Sequence, residues 1–244
     1  MILHSIKYFP YLVYLAVKNN SKVMSLLSST TYYQDNFATT NFMGFLDEKN
    51  FSNDFENSLI GVPENLKVQF RAIKYRAHVV EWLYNQTKNV SGDVIEIGVW
   101  YGVLSRFILE RNSIQDIKKV FYLVDPWAGK PGSRYESDNF SEVVLRFKPF
   151  SNVKLVRGWA PEALYKLDID DISFAIIDMN SFIPEIRSLE YLWPKLSKGS
   201  IIYFDDYAHL DCVDLRTVID GLFMNKKEKL LVVPSGNAFV MKIE

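Results

Sequence analysis

The sequence has little cysteine, little histidine and no surplus of either charge. One cysteine, Cys212, stands among 244 residues, so no intrachain disulfide can form and no thiolate cluster exists for zinc or an iron–sulfur centre. A reducing, cytoplasmic compartment is expected. Lysine and arginine number 28 against 29 aspartates and glutamates, and no basic block is interleaved with aromatics. No phosphate-tracking surface, and hence no nucleic-acid partner, is expected. Internal repeats and low-complexity tracts are also lacking. Residues 2–17 are strongly apolar but are interrupted by Lys7 and Pro10. That run is shorter than the ~20 apolar residues of a spanning helix, and it lacks a basic leader and a small-residue cleavage site. The expectation is a helix packed on the domain or on a second copy in a homo-oligomer, with a weak membrane-surface contact as the alternative.

What the chain does have is apolar content, 48%, enough for a large core in one domain with additions. Residues 1–62 read as an N-terminal helical and loop extension, and residues 63–244 as the domain that carries the site. Within the extension, residues 28–57 are rich in Ser, Thr, Asn and Asp, which favours loops and short turns over a long element. After Gly61-Val62-Pro63, the apolar positions Leu66, Phe70, Ile73, Ala77, Val80, Trp82 and Leu83 predict one long helix ending near Asn89. Candidate strands follow at 93–97, 119–124, 152–156, 172–177, 199–204, 229–233 and 237–242. Helical segments separate most of them, which implies a parallel sheet with right-handed crossovers. Only Pro234-Ser235-Gly236 separates the last two, so they form an antiparallel hairpin.

The sharpest signal is Val94-Ile95-Glu96-Ile97-Gly98-Val99-Trp100-Tyr101-Gly102, which reads as buried strand, ligand-binding turn and helix start. A dinucleotide fingerprint needs a second glycine two residues after the first, where backbone approaches a pyrophosphate. Trp100 stands there. The pattern Glu-x-Gly-x-x-x-Gly instead suits a ligand without pyrophosphate, such as S-adenosylmethionine. Asp125 ends the second strand, one unit later, where a carboxylate can accept from both ribose hydroxyls. Trp159, after Gly158 at the end of the third strand, is placed either on the adenine face or in the core.

The fourth and fifth strands end at Asp178 and at Asp205-Asp206. Three carboxylates delivered to one sheet edge are costly to bury together unless a cation or hydrogen bonds compensate. The expectation is a hard divalent ion such as Mg²⁺; the alternative has Asp206 capping the next helix. His209 could serve as a base in this cleft or be an ordinary surface or core histidine. His78 lies in the predicted helix and His4 in the apolar leader.

Together these motifs resemble the macrocin O-methyltransferase family, the TylF-type S-adenosylmethionine-dependent enzymes that methylate sugar hydroxyls, over about residues 58 to 242. Ser58-Leu59-Ile60-Gly61 is similar to the family's Thr-Met-x-Gly near the methionine end of the cofactor. Gly92-Asp93-Val94-Ile95-Glu96-Ile97-Gly98-Val99-Trp100-Tyr101-Gly102 resembles its Gly-Asp-x-x-Glu-x-Gly-Val-Trp-x-Gly. Gly158-Trp159, Tyr191-Leu192-Trp193-Pro194-Lys195-Leu196 and Asp205-Asp206-Tyr207 continue the likeness in order. The resemblance implies an α/β, Rossmann-like class I methyltransferase fold, with a seven-stranded, mostly parallel sheet closed by an antiparallel hairpin. It also implies Mg²⁺ at Asp178, Asp205 and Asp206. The chain departs from the family at Asp178-Met179-Asn180, where Asp-x-Asp is common, at Phe182, where tyrosine is usual, and at Asp125-Pro126-Trp127-Ala128-Gly129. These departures line the substrate side, so an acceptor other than a macrolide sugar is open; a hydroxyl of a sugar, or of a sugar-containing natural product or glycan, is expected.

Overall fold

The computed structural model describes residues 30–35, 37–112, 118–128, 138–209 and 212–244. The apolar leader at 2–17 and His4 lie outside them. A small hairpin opens the described chain, β1 (Tyr32–Gln34) and β2 (Phe37–Thr39), followed by α1 (Lys49–Ser58), α2 (Glu64–Arg71) and α3 (Lys74–Gln86). The α/β part runs β3 (Asp93–Ile97), α4 (Val103–Arg111), β4 (Phe121–Asp125), α5 (Phe140–Phe147), β5 (Val153–Arg157), β6 (Ile172–Ile177), α6 (Phe182–Leu192), β7 (Leu196–Phe204), α7 (Val213–Met224), β8 (Leu231–Val232) and β9 (Ala238–Met241).

The sheet order is β5-β4-β3-β6-β7-β9-β8. Strands β3 to β7 pair in parallel, whereas β9 runs antiparallel to both β7 and β8. This is the predicted sheet with its terminal hairpin, and the last strand is the one that docks on β7. The chain steps outward from β3 to β5 and then returns to β6 on the other side of β3. The crevice above the carboxyl ends of β3 and β6 is therefore the topological switch point, where ligands bind in open α/β sheets.

Both sheet faces are covered, as the near-continuous apolar strands require. One layer packs Phe51, Phe55, Leu83 and Phe107 from α1, α3 and α4 against Val94, Phe121 and Phe174. The other packs Leu189, Leu192, Leu215, Ile219 and Phe223 from α6 and α7 against Ile97, Ile177 and Ile202. Two predictions of local structure change here. The polar stretch 28–57 contains a ten-residue helix, α1, because Phe51 and Phe55 stand one turn apart and both bury against Phe107, with centroids at 5.1 and 5.6 Å. The helix predicted over 66–89 is two helices. At the break, Ala72 N–H and Ile73 N–H donate to Gln69 and Phe70 carbonyls three residues back, a tightened turn. It lets α2 bury Phe70 against Trp100 while α3 buries Ala77, Val80, Leu83 and Tyr84.

Because Phe107 joins α1 to the sheet layer and is fully buried, Phe107→Ala should lower stability by about 3–5 kcal/mol. Urea unfolding measures it. A loss within about 0.5 kcal/mol, the range of a surface substitution, would mean that α1 is not part of the core.

Candidate active site

The turn after β3 is shaped by backbone approach. Gly98 has φ +85°, and a Cβ there would stand 1.7 Å from the carbonyl oxygen of Asp178. No other residue fits that gap. Gly102, at φ +63°, opens α4 with Phe147 crowding the place where its Cβ would be. Trp100 is also left-handed, at φ 49°, an uncommon conformation for a bulky residue. Its N–H donates to Asp125 Oδ2 at 2.9 Å, and its carbonyl accepts from Trp127 Nε1 at 2.8 Å. Asp125 thus fastens the turn at the end of β4, with its Oδ1 accepting from Trp127 N–H at 2.7 Å. Burial holds its carboxyl above the usual range, and the backbone donors oppose this.

Glu96 sits inside, 3% exposed, with Oε2 buried and unpartnered. Burial pushes its carboxyl up to about 8, opposed by the nearby Ser105 hydroxyl and N–H, although neither Oε2 nor the Ser105 hydroxyl makes a hydrogen bond of good geometry. An orphaned buried oxygen beside a tight glycine turn fits a ligand that brings an ammonium, which S-adenosylmethionine does. A second clamp closes the far side of the turn. Buried Arg146, on α5, donates from Nε to the Tyr101 carbonyl at 3.0 Å and from Nη2 to the Ser58 carbonyl at 2.8 Å; Nη1 reaches the Ile60 carbonyl. Gly61, at φ +80°, leaves room for it, since a Cβ would lie 2.9 Å from Arg146 Cγ. Ser58 and Leu59 are themselves buried, and the Ser58 hydroxyl donates to the Phe55 carbonyl at 2.6 Å. Their segment is therefore fixed through backbone rather than offered as side chains.

The three predicted acids do converge: Asp178, Asp205 and Asp206 each offer a carboxylate oxygen, all within 4.8 Å of one another. Burial, then Asp205 and Asp206, hold Asp178 well above the usual carboxylate range, and burial pushes Asp205 up to about 7 against the opposing charge of Arg76. Asp205 is the best held. Its Oδ1 accepts from Tyr203 O–H at 3.2 Å and Asn237 Nδ2 at 2.8 Å, and its Oδ2 from Arg76 Nη1. The same Nη1 reaches Asp206 Oδ1 at 3.2 Å, while Asp35 takes the other side of the guanidinium. Three acids thus share one arginine while Asp178 has none of its donors, and the excess negative charge with hard oxygen donors fits a divalent cation. Asp206 does not cap the next helix; Cys212 stands at the N-cap of α7.

Gly158 N–H donates to the Asp125 carbonyl at 2.9 Å, which places its loop beside the glycine turn. Trp159 is 63% exposed and lines an open groove of 620 Å³ with Val156, Glu162 and Leu167, so the core alternative is excluded. His209 is half-buried, with its N–H on the Asp206 carbonyl at 2.9 Å. Sequence reasoning missed Asp35, Arg76, Arg146, Tyr203, Glu185 and Asn237. For Arg76 a signal existed: a cation on the apolar stripe of Ile73, Val80 and Leu83 calls for a buried partner. Glu185, also buried, accepts from Met179 N–H at 3.2 Å and steadies the turn that follows Asp178.

Glu96 gives a pH test. Its folded value, about 8, lies above the 4.5 of the free side chain, so the folded state holds the extra proton between those limits. Stability should fall as pH rises through that window, and Glu96→Gln should remove on the order of 3 kcal/mol of the fall between pH 5 and 8. Unfolding of the cofactor-free protein at both pH values measures this. Equal slopes for the two proteins would mean that Glu96 is ionised in the fold.

Residues 95–207 match the family model described as a methyltransferase domain. Demethyldecarbamoylnovobiocin O-methyltransferase from Streptomyces niveus is 26% identical over 156 residues, which are 54% of this chain and 58% of that protein. The chain thus spans less than two thirds of that relative's length. Among solved structures, the O-methyltransferase NovP superposes with a TM-score of 0.59 at 20% identity, covering 69% of this chain and 80% of that one. CalS11, a TDP-rhamnose 3'-O-methyltransferase of calicheamicin biosynthesis, gives 0.55 at 19% identity, covering 80% and 94%. The sheet order and the switch-point turn agree with the match: the chain has the α/β, Rossmann-like fold of these methyltransferases, and residues 95–207 are similar to a methyltransferase domain.

Proposed function

We propose that this chain transfers a methyl group from S-adenosylmethionine to a hydroxyl of a sugar or sugar-bearing natural product, with Mg²⁺ held by Asp178, Asp205 and Asp206. One observation carries the reading: the glycine turn and three carboxylates within 4.8 Å of one another meet at a single switch point, joined by the Gly98–Asp178 contact. The O-methyltransferases named above, one of them a TDP-rhamnose 3'-O-methyltransferase, support the acceptor class, as does the macrocin-type likeness of the motifs.

In this reading Glu96 takes the cofactor's ammonium on its unpartnered oxygen, and Asp125 takes the ribose hydroxyls on lone pairs its two backbone donors leave free. Gly98, Trp100 and Gly102 form the backbone wall. Gly158 and Trp159 border the adenine, and Ser58 and Leu59 border the methionine end. When bound, the cofactor would supply a methyl group on a good leaving group and the cation would lower the pKa of an acceptor hydroxyl. The chain's own part is placement. The three aspartates fix the acceptor oxygen beside the glycine turn, and His209, tied to Asp206 through backbone, receives the proton. We propose that the extension at residues 1–62, of which 1–29 lie outside the described residues, serves the domain at 63–244 as a cover or an oligomer contact, in a cytoplasmic homo-oligomer. Among the described residues no helix is long and apolar enough to cross a membrane.

A second reading, transfer without a divalent cation, is favoured by the ion pairs of Arg76 with Asp205 and Asp206, which already bring positive charge to the cluster. A methyl-transfer assay on sugar and phenol acceptors, with and without EDTA, separates the two. With the cation, EDTA should abolish turnover reversibly. Asp205→Asn should lower turnover on the order of 100-fold while leaving the calorimetric heat of S-adenosylhomocysteine binding intact. Asp125→Ala should weaken that binding about tenfold. Full turnover in EDTA would select the second reading. No binding heat for S-adenosylhomocysteine would overturn both.

A further inference from the structure

The guanidinium of Arg76 joins two parts of the molecule that the sequence keeps far apart. On one side its Nε and Nη2 form a two-pronged pair with Asp35 Oδ2 and Oδ1, at 2.5 and 2.7 Å. On the other its Nη1 is shared between Asp205 and Asp206. Side-chain exposure is 12% for Arg76, 7% for Asp35 and 5% for Asp205, so these charges interact with little solvent between them. Asp35 stands between β1 and β2 in the left-handed region, at φ 53°. The hairpin that carries it rests on α3 through Tyr32 and Phe37, whose rings lie 6.4 and 5.0 Å from that of Tyr75, the neighbour of Arg76.

We propose that Arg76 is the internal counter-cation of the Asp205–Asp206 pair, and that Asp35 holds the guanidinium when a divalent cation takes those carboxylates. The inference rests on the cation reading given above and adds the residues that decide how tightly the ion is held. A doubly charged ion among Asp178, Asp205 and Asp206 repels a guanidinium donating to two of the same carboxylates, so Arg76 competes with it. The two-pronged pair with Asp35 needs neither Nη1 contact. Arg76 can therefore release Asp205 and Asp206 while keeping a charge-assisted partner, and Asp35 lowers what the ion must overcome. Because binding couplings are reciprocal, occupation of the acidic cluster and the grip of Arg76 on the β1–β2 hairpin strengthen each other. The hairpin thereby belongs to the site, although no residue of it contacts the three acids directly among the described hydrogen bonds.

The test is a titration of the whole chain with Mn²⁺, read by the electron-spin signal of the free ion. Asp35→Asn should weaken Mn²⁺ binding about tenfold, because it leaves Arg76 with no charged partner but the cluster. Arg76→Gln should tighten binding severalfold, and in that background Asp35→Asn should change it less than about twofold. Weaker binding in Arg76→Gln, or an Asp35→Asn effect of equal size in both backgrounds, overturns the proposal. If Arg76→Gln does not fold without the ion, Arg76→Lys replaces it. A lysine keeps the charge but loses the two-pronged hold on Asp35, so Mn²⁺ binding should weaken as with Asp35→Asn; unchanged or tighter binding overturns the proposal. A wild-type chain that binds no Mn²⁺ removes the cation reading itself, whereas normal binding that none of these substitutions shifts removes only the role of Arg76 and Asp35.

Discussion

The backbone at Gly98 runs so close to Asp178 that the two strand ends β3 and β6 cannot be moved apart or a side chain inserted without breaking the site. Backbone bonds hold this contact from both sides. Asp178 N–H donates to the Ile97 carbonyl at 2.8 Å, and Gly98 N–H to the Val124 carbonyl at 2.9 Å. Asp205 N–H donates to the Ile177 carbonyl at 2.9 Å. The sheet thereby carries its register one residue past the strands, and the groups at 96, 98, 125, 178 and 205 take their positions from it. Placement that comes from a rigid sheet rather than from loops is what precise transfer chemistry needs.

Charge balance is the second constraint, and it is set locally. Glu96 is kept from water without a partner on Oε2, and Asp178, Asp205 and Asp206 face one another with a single guanidinium between two of them. A fold does not keep four acids in so small a space for stability's sake, because burying like charges opposes folding. In the function proposed above each meets a ligand: an ammonium for Glu96, a hard cation for the aspartates. Buried Arg146 follows the opposite rule. Among the described residues it has no carboxylate ion pair, and burial with the nearby Arg106 pushes it down to about 9; it is held by three carbonyls whose segments it clamps together.

How much of this was legible beforehand depends on the range of the interactions. The strands and the glycine turn are written in short runs, and their ends shifted by one or two residues at most sites, with β7 beginning at Leu196 rather than 199. The acids at strand ends could be placed because a parallel sheet brings all strand carboxyl ends to one edge. Asp35 and Arg76 could not be paired, since 41 residues separate them and nothing in the composition of the polar stretch marks Asp35 as buried. Asn237 escaped for a like reason: it read as the first residue of the last strand, and only the docking of β9 beside β7 brings its amide to Asp205. The helix α1 was hidden by polar neighbours, because two phenylalanines one turn apart are enough to bury one face. Trp159, conversely, looked like core or ligand wall by size, and the edge position of β5 leaves it in solvent.

The cofactor turn and the acidic cluster work as proposed only if they form one site. Diffraction from crystals grown with S-adenosylhomocysteine and Mn²⁺, collected at the manganese absorption edge, would test it most directly. The expected result is an anomalous peak among Asp178, Asp205 and Asp206, with the nucleoside lying along the Gly98–Gly102 turn and its ribose on Asp125. Nucleoside density elsewhere on the sheet, or a fully occupied cofactor with no peak among the three aspartates, would contradict it.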